Sequence, residues 1–324
     1  MYRLGALFMN KRPPAWLIPN LLSLDAPIVA LVWMWMLADT LRVQYVELSS
    51  YLLLAAAVWC VYVVDRIRDV SRGLHPIEGE MPWRHRFHWN SRWVLILLVA
   101  ALISYCGFFA MFQMSRVLLT VGVVGAVLVA CYLLVSLFDK ADVAYGKNMV
   151  AGVTFAYGVA APIVVASEPL PLVLSDVFRS FEGAEGLQII TALFSFLAQS
   201  VGMVLLTLNI VLLSVPVLLF GLLCVMNINA IDLWERSRRS NDPEVKQESE
   251  VALSMGLFIL VVGAVFAVAF VVDDYSAPLC YAVMSSAGLL HVINRSRARF
   301  SVAALRVLAD LALVIPVPLV VWLT

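Results

Sequence analysis

The stretch Trp59-Cys60-Val61-Tyr62-Val63-Val64-Asp65-Arg66-Ile67-Arg68-Asp69 decides how this sequence is read, because an apolar helix runs into an acidic and basic ending. Asp65 and Asp69 are four residues apart, so on a helix their carboxylates share a face and repel. Something cationic is expected between them. Arg68 and Arg72 could supply it, as could a divalent metal carrying a phosphate. The segment 65–92 reads as an Arg- and His-rich cytoplasmic loop, with Arg72, His75, Arg84, His85, Arg86, His88 and Arg92. Its histidines are irregularly spaced and make a poor set of metal ligands.

Working outward, 63% of the residues are apolar and 14% charged, too few charges to cover the surface of a soluble domain. The expectation is an all-α polytopic membrane bundle, a single transmembrane domain over residues 1–324. A span needs about 20 mostly apolar residues. On that ruler about nine transmembrane helices are predicted, near 24–41, 47–64, 93–113, 116–138, 147–167, 200–231, 251–272, 275–293 and 302–323. With the N-terminus inside, 18 of the 22 Lys and Arg residues fall in inner connections, and Arg42, Arg116 and Arg179 fall outside. The positive-inside rule then gives a cytoplasmic N-terminus and an extracytoplasmic C-terminus, in a plasma (inner) membrane. Segment 168–199, with Asp176, Glu182 and Glu185, reads as an extracytoplasmic insertion ending in an interfacial helix. No cleavable signal is expected, since residues 1–20 lack a central apolar stretch. The five cysteines lie in apolar runs with no CxxC, which argues against disulfides and zinc. Nothing points to nucleic acid.

A second cluster closes the sixth predicted span: Asn227-Ile228-Asn229-Ala230-Ile231-Asp232-Leu233-Trp234-Glu235-Arg236, followed by Arg238, Arg239 and a predicted cytoplasmic loop over 232–250. Asn229, Asp232 and Glu235 are spaced by three, so they form one helical stripe. Two carboxylate pairs thus stand at one membrane depth on helices far apart in sequence. Ionisable groups at a span's edge usually face the bundle interior. Mg²⁺ commonly binds through one or two carboxylates plus substrate phosphates, and guanidinium groups suit the remaining phosphate oxygens. An acidic cavity with an Arg-rich rim therefore suits Mg²⁺–diphosphate, with Asp65, Asp69, Asp232 and Glu235 as candidate ligands. Each cluster alone could equally be a helix end with Asp–Arg pairs. Lys147 opens the fifth span as a phosphate contact or a topology signal. Arg306 and Asp310, four apart, are expected to pair. Asp25 could face the same cavity, though nothing in the sequence requires it. Trp59, Trp83, Trp89 and Trp234 read as interfacial anchors.

These residues resemble the UbiA superfamily of intramembrane aromatic prenyltransferases, whose members have nine transmembrane helices and aspartate-rich motifs after the second and sixth. The first family motif reads roughly NDxxDxxxD. Asp65 and Asp69 match its last two acids and Arg66 its arginine, while Val61 stands at the asparagine position and Tyr62 beside it. Asn229, Asp232 and Glu235 look like a compressed second motif, with Arg236 where a third acid often stands, and Lys147 resembles a basic residue between the fourth and fifth helices. The resemblance implies Mg-dependent transfer of a prenyl group from an isoprenyl diphosphate to an aromatic or other lipophilic acceptor in the membrane. Asp65, Asp69, Asp232 and Glu235 would be the metal and catalytic residues. Arg68, Arg72, Lys147, Asn229, Arg236 and Tyr62 would contact substrate, with Tyr62 facing a developing carbocation. The departures at Val61 and Arg236 favour an alternative: a degenerate relative that binds a lipid diphosphate or quinone, or serves as an assembly partner.

Overall fold

A computed structural model describes residues 13–71, 83–138, 145–167 and 214–324. Among them every regular element is a helix. A 3-10 turn at Ala15–Leu17 leads into α1 (Ile18–Leu21), followed by α2 (Asp25–Thr40), α3 (Leu48–Ser71), α4 (Trp83–Asn90), α5 (Arg92–Gln113) and α6 (Arg116–Phe138). Then come α7 (Tyr145–Ser167), α8 (Val215–Arg239), α9 (Pro243–Phe270), α10 (Ala277–Ser296), α11 (Val302–Val314) and α12 (Val317–Leu323). Eight helices among the described residues are long and apolar enough to cross a membrane, α11 and α12 counting as one, and the bent α1–α2 pair makes a ninth if taken as one span. The chain is an all-α, multi-pass integral membrane protein. Helices are what such apolar runs must form, because lipid offers the backbone no hydrogen-bond partners.

Several boundaries differ from expectation for local reasons. The first predicted span, 24–41, is the single helix α2, but the chain turns sharply just before it: α1 meets α2 at 82°, across Ser23, whose φ of 56° is left-handed. The side chains of Asn20 and Ser23 stabilise the break, Asn20 donating to Asp25 Oδ2 at 2.5 Å and Ser23 bonding His88 Nε2 at 3.2 Å. The predicted loop 65–92 contains α4, which buries Arg84, His85 and His88. Arg72 and His75 lie outside the described residues, as do the insertion at 168–199 and the first half of the sixth predicted span. The predicted loop over 232–250 is mostly helix. Only residues 240–242 separate α8 from α9, because Asp242 accepts from Glu244 N at 2.9 Å as an N-cap and Pro243 follows at the first helical position. Trp234 is a core residue rather than an interfacial anchor, its Nε1 donating to Asn294 Oδ1 at 2.9 Å.

The core sits around α8, which packs on α7, α9, α10 and α11. The α7–α8 contact is close because both faces are small. A Cβ added at Gly152 would lie 2.9 Å from the backbone nitrogen of Val225, and one added at Gly221 would lie 3.3 Å from Ala156 Cβ. Small residues let membrane helices approach where no hydrophobic drive exists between them. Nearby, Trp33 stacks on Phe220 at 4.2 Å and donates to Leu313 O at 3.0 Å, tying α2 to α8 and α11. By contrast α5 leaves Leu97, Phe108, Met111 and Phe112 exposed, a surface suited to hydrocarbon.

Candidate functional site

A cavity of about 1000 Å³ opens where α3 and α8 end and α7 begins. Its polar end carries six carboxyl groups and six cationic side chains. From there an apolar arm runs between α3, α5, α6 and α7, lined by residues such as Ile103, Met111, Leu118 and Val129. Asp65, Asp69, Asp232 and Glu235 all stand in its wall. The two acidic clusters predicted from sequence therefore share one cavity.

On the α7 side, Arg68 Nη2 donates to Asp65 Oδ1 at 2.6 Å and to Ser136 Oγ, and lies 3.9 Å from Asp69 Oδ1. Lys147 Nζ is 3.7 Å from Asp65 Oδ1. Asn148, the next residue, donates from Nδ2 to Asn229 Oδ1 and to Asp232 Oδ2, each at 2.8 Å. The first turn of α7 thus holds one cluster with a cation and the other with an amide. The close approach at Gly152 is what brings this turn to α8.

The opposite side was not legible in the sequence. Arg306 does not pair with Asp310 as its spacing suggests. Its Nε donates to Glu235 Oε1 at 2.9 Å, with Nη2 on the same oxygen. Asp310 instead accepts from Asn227 Nδ2 at 3.3 Å and lies in hydrogen-bonding reach of Asp25. Asp25, at the first position of α2, also accepts from Ala26 N at 3.1 Å. Both line the cavity with Asn227, Arg66 and Tyr62. The Tyr62 ring lies 5.8 Å from the Arg66 guanidinium carbon, so it already faces a cation. Arg84 and His85 reach the same wall from α4.

Two predicted contacts are elsewhere. Arg236 turns to Glu248 of α9 at 2.9 Å and is not in the wall, where Arg239 stands instead. The helical period explains this, since residue 239 lies one turn beyond Glu235 and Asp232 on the same stripe. Asn229 is buried against Asn148 and also leaves the wall. Val61 does face the cavity.

The short helix α4 is fixed by His88. Its Nδ1 lies 2.8 Å from Arg84 O, and a carbonyl only accepts, so the neutral ring carries its proton on Nδ1 and Nε2 accepts from the Ser23 hydroxyl. Burial, with Arg66 and Arg84 nearby, lowers the His88 pKa to about 4. The ring is therefore neutral at pH 7.

Among the described residues no three of His, Cys, Asp and Glu lie close enough to hold a metal ion on their own. Magnesium needs fewer when phosphate oxygens and water complete its shell. No family model matches the chain, and no curated protein and no solved structure matches it either.

Proposed function

We propose that the protein transfers a prenyl group from an isoprenyl diphosphate to an aromatic or other lipophilic acceptor within the membrane, as the UbiA resemblance implies. The observation that carries this reading is the single cavity in which Asp65, Asp69 and Asp232 meet Lys147 and Arg68 at one end of an apolar arm. A charged end suits the diphosphate and the arm suits the isoprenoid tail. The charge alternation of the sequence would put the polar end at the cytoplasmic face.

In this reaction the allylic C–O bond breaks with its electrons leaving on the diphosphate, the acceptor bonds to the prenyl carbon, and the acceptor then loses a proton. Lys147 and Arg68 neutralise charge on the departing group, the kind of preorganised electrostatics that supplies most catalytic rate. Asn148 fixes the Asp232 carboxylate in place. The donor set fits magnesium in type: Asp65, Asp69 and Asp232 would hold it with phosphate oxygens, and it would act as a Lewis acid on the leaving group. Glu235, already engaged by Arg306, fits that role less well.

The same ion pairs favour a second reading, a protein that holds a lipid diphosphate or quinone without turnover, because its own cations already neutralise Asp65 and Glu235. The experiment that separates them is binding of a long-chain isoprenyl diphosphate to detergent-purified protein, titrated with Mg²⁺, for wild type, Asp65→Ala and Asp232→Ala. Binding that needs Mg²⁺ and both aspartates supports the diphosphate site, and release of pyrophosphate with an acceptor present then favours the enzyme over the binder. Binding that is absent, or survives both substitutions, ends the enzyme reading and the diphosphate-binding form of the second.

A further inference from the structure

Among the described residues Arg84 is a buried cation with no carboxylate at ion-pair distance. It is 5% exposed, yet it lines the cavity. Among the described residues the only hydrogen-bond partner of its guanidinium is the ring Nε2 of His85, at 3.5 Å, and its Nε has none. Arg68, Lys147 and Arg306 each stand on a carboxylate in the same cavity. Arg84 does not. Its strongest charged neighbours are two further guanidiniums, Arg306 and Arg66, ahead of Glu235 and Asp25. Burial first, and then those two cations, push its pKa down. A guanidinium nevertheless keeps its proton in proteins, and an unpaired buried charge is strongly destabilising. A sequence that bears that penalty in a cavity wall is explained if an anion arrives there.

We propose that Arg84 is the binding residue for an oxyanion, a carboxylate or phosphate group, on the α4–α11 side of the cavity, apart from Lys147 and Asp232 on the α7 side. The flat five-donor guanidinium fork matches both oxyanions. His85, at the same wall, borders the position. The oxyanion has two sources under the proposed function: the diphosphate of the prenyl donor, or an acidic group on the acceptor. Only the choice between these sources rests on that reading; the uncompensated charge does not.

The test is thermal unfolding of the full-length protein in detergent, without ligand and with inorganic pyrophosphate or octanoate, for wild type, Arg84→Met and Arg84→Lys. A methionine removes the lone buried charge while keeping the chain's bulk. Arg84→Met is expected to raise the ligand-free Tm and to weaken anion binding by about tenfold or more, the loss of a charge-assisted hydrogen bond. Arg84→Lys is expected to keep part of the response. A response to pyrophosphate that Arg84→Met weakens assigns Arg84 to the donor's diphosphate; a response to octanoate alone that Arg84→Met weakens assigns it to a second, carboxylated ligand. The proposal is overturned if wild type responds to neither anion, or if Arg84→Met leaves the response intact. Because these anions carry no isoprenoid, an Arg84-dependent response with no binding of isoprenyl diphosphate would end the proposed function and leave this inference standing.

Discussion

The two acidic clusters look alike in sequence and are neutralised in different ways. Asp65 meets Arg68 three residues on along its own helix, with Lys147 as a second cation at 3.7 Å. Glu235 takes its direct ion pair from α11, 71 residues away, with Arg84 and Arg239 as more distant charged neighbours. Asp232 is held by an amide from α7, 84 residues away. A carboxylate with two cations in direct reach, one of them local, tolerates the loss of either, whereas a buried carboxylate whose one direct ion pair comes from a distant helix loses it outright.

That contrast gives the largest expected effect. Arg306→Ala leaves Glu235 buried beside Arg84 without its direct partner and should cost about 3–5 kcal/mol, read as a fall in Tm in detergent. Arg68→Ala should cost much less, about 1 kcal/mol, because Lys147 stays beside Asp65. Equal losses in the two variants would break the comparison. The double variant Arg306→Ala with Glu235→Ala should recover most of the stability lost by the first.

Next comes the contact that carries α7 to both clusters. Gly152→Leu would drive a side chain into the backbone of Val225, and such overpacking costs about 1–3 kcal/mol. Because it also moves Lys147 and Asn148, diphosphate binding should fall with stability. Gly146→Ala on the same helix, where an added Cβ has nothing within 4 Å, should leave both unchanged.

The effect of pH falls on α4. His88 has a pKa of about 4 in place, against about 6.5 when free. The docked ring binds fewer protons than the undocked one between these values. Its contribution to docking is therefore complete above pH 6.5 and is lost as pH falls through 4. At pH 5 undocking should be favoured about twentyfold over pH 7, seen as lower hydrogen-exchange protection of residues 83–90 after correction for intrinsic rate. His88→Gln should abolish that dependence. The smallest effect is at the rim: Arg295→Ala removes a pair with Glu250, but Arg297 remains 2.8 Å from that carboxylate, so the change should stay below about 1 kcal/mol.

What could be read from the sequence follows the same division. The apolar runs announced a helical membrane bundle because a span needs length and little else. DRIRD announced a charged helix end because its partners are three and four residues apart. Asn148 on Asp232, Arg306 on Glu235 and Asp25 near Asp310 join residues that only the packing of α2, α7, α8 and α11 brings together, and no spacing encodes them. Spacing even misled at Arg306, whose i, i+4 acid was the wrong partner. It also misled at Arg236, where the cavity takes the arginine one turn later. Helix α4 was missed because its length of eight residues is too short for a periodic signal, and its polar residues read as loop. His85 and His88, three residues apart with Arg84 and Arg86 beside them, were the clue available.

Gly107 and Gly122 both line the apolar arm, and a Cβ at either would meet nothing within 4 Å. The arm is therefore wide where these helices could have filled it. Phenylalanine at one of these positions would shorten the space for a hydrocarbon chain and leave every charge at the other end untouched. Gly107 lies six residues before the end of α5 at Gln113 and Gly122 six residues after the start of α6 at Arg116, so a plug at either position asks one question, whether an occupant reaches that depth, whatever its head group.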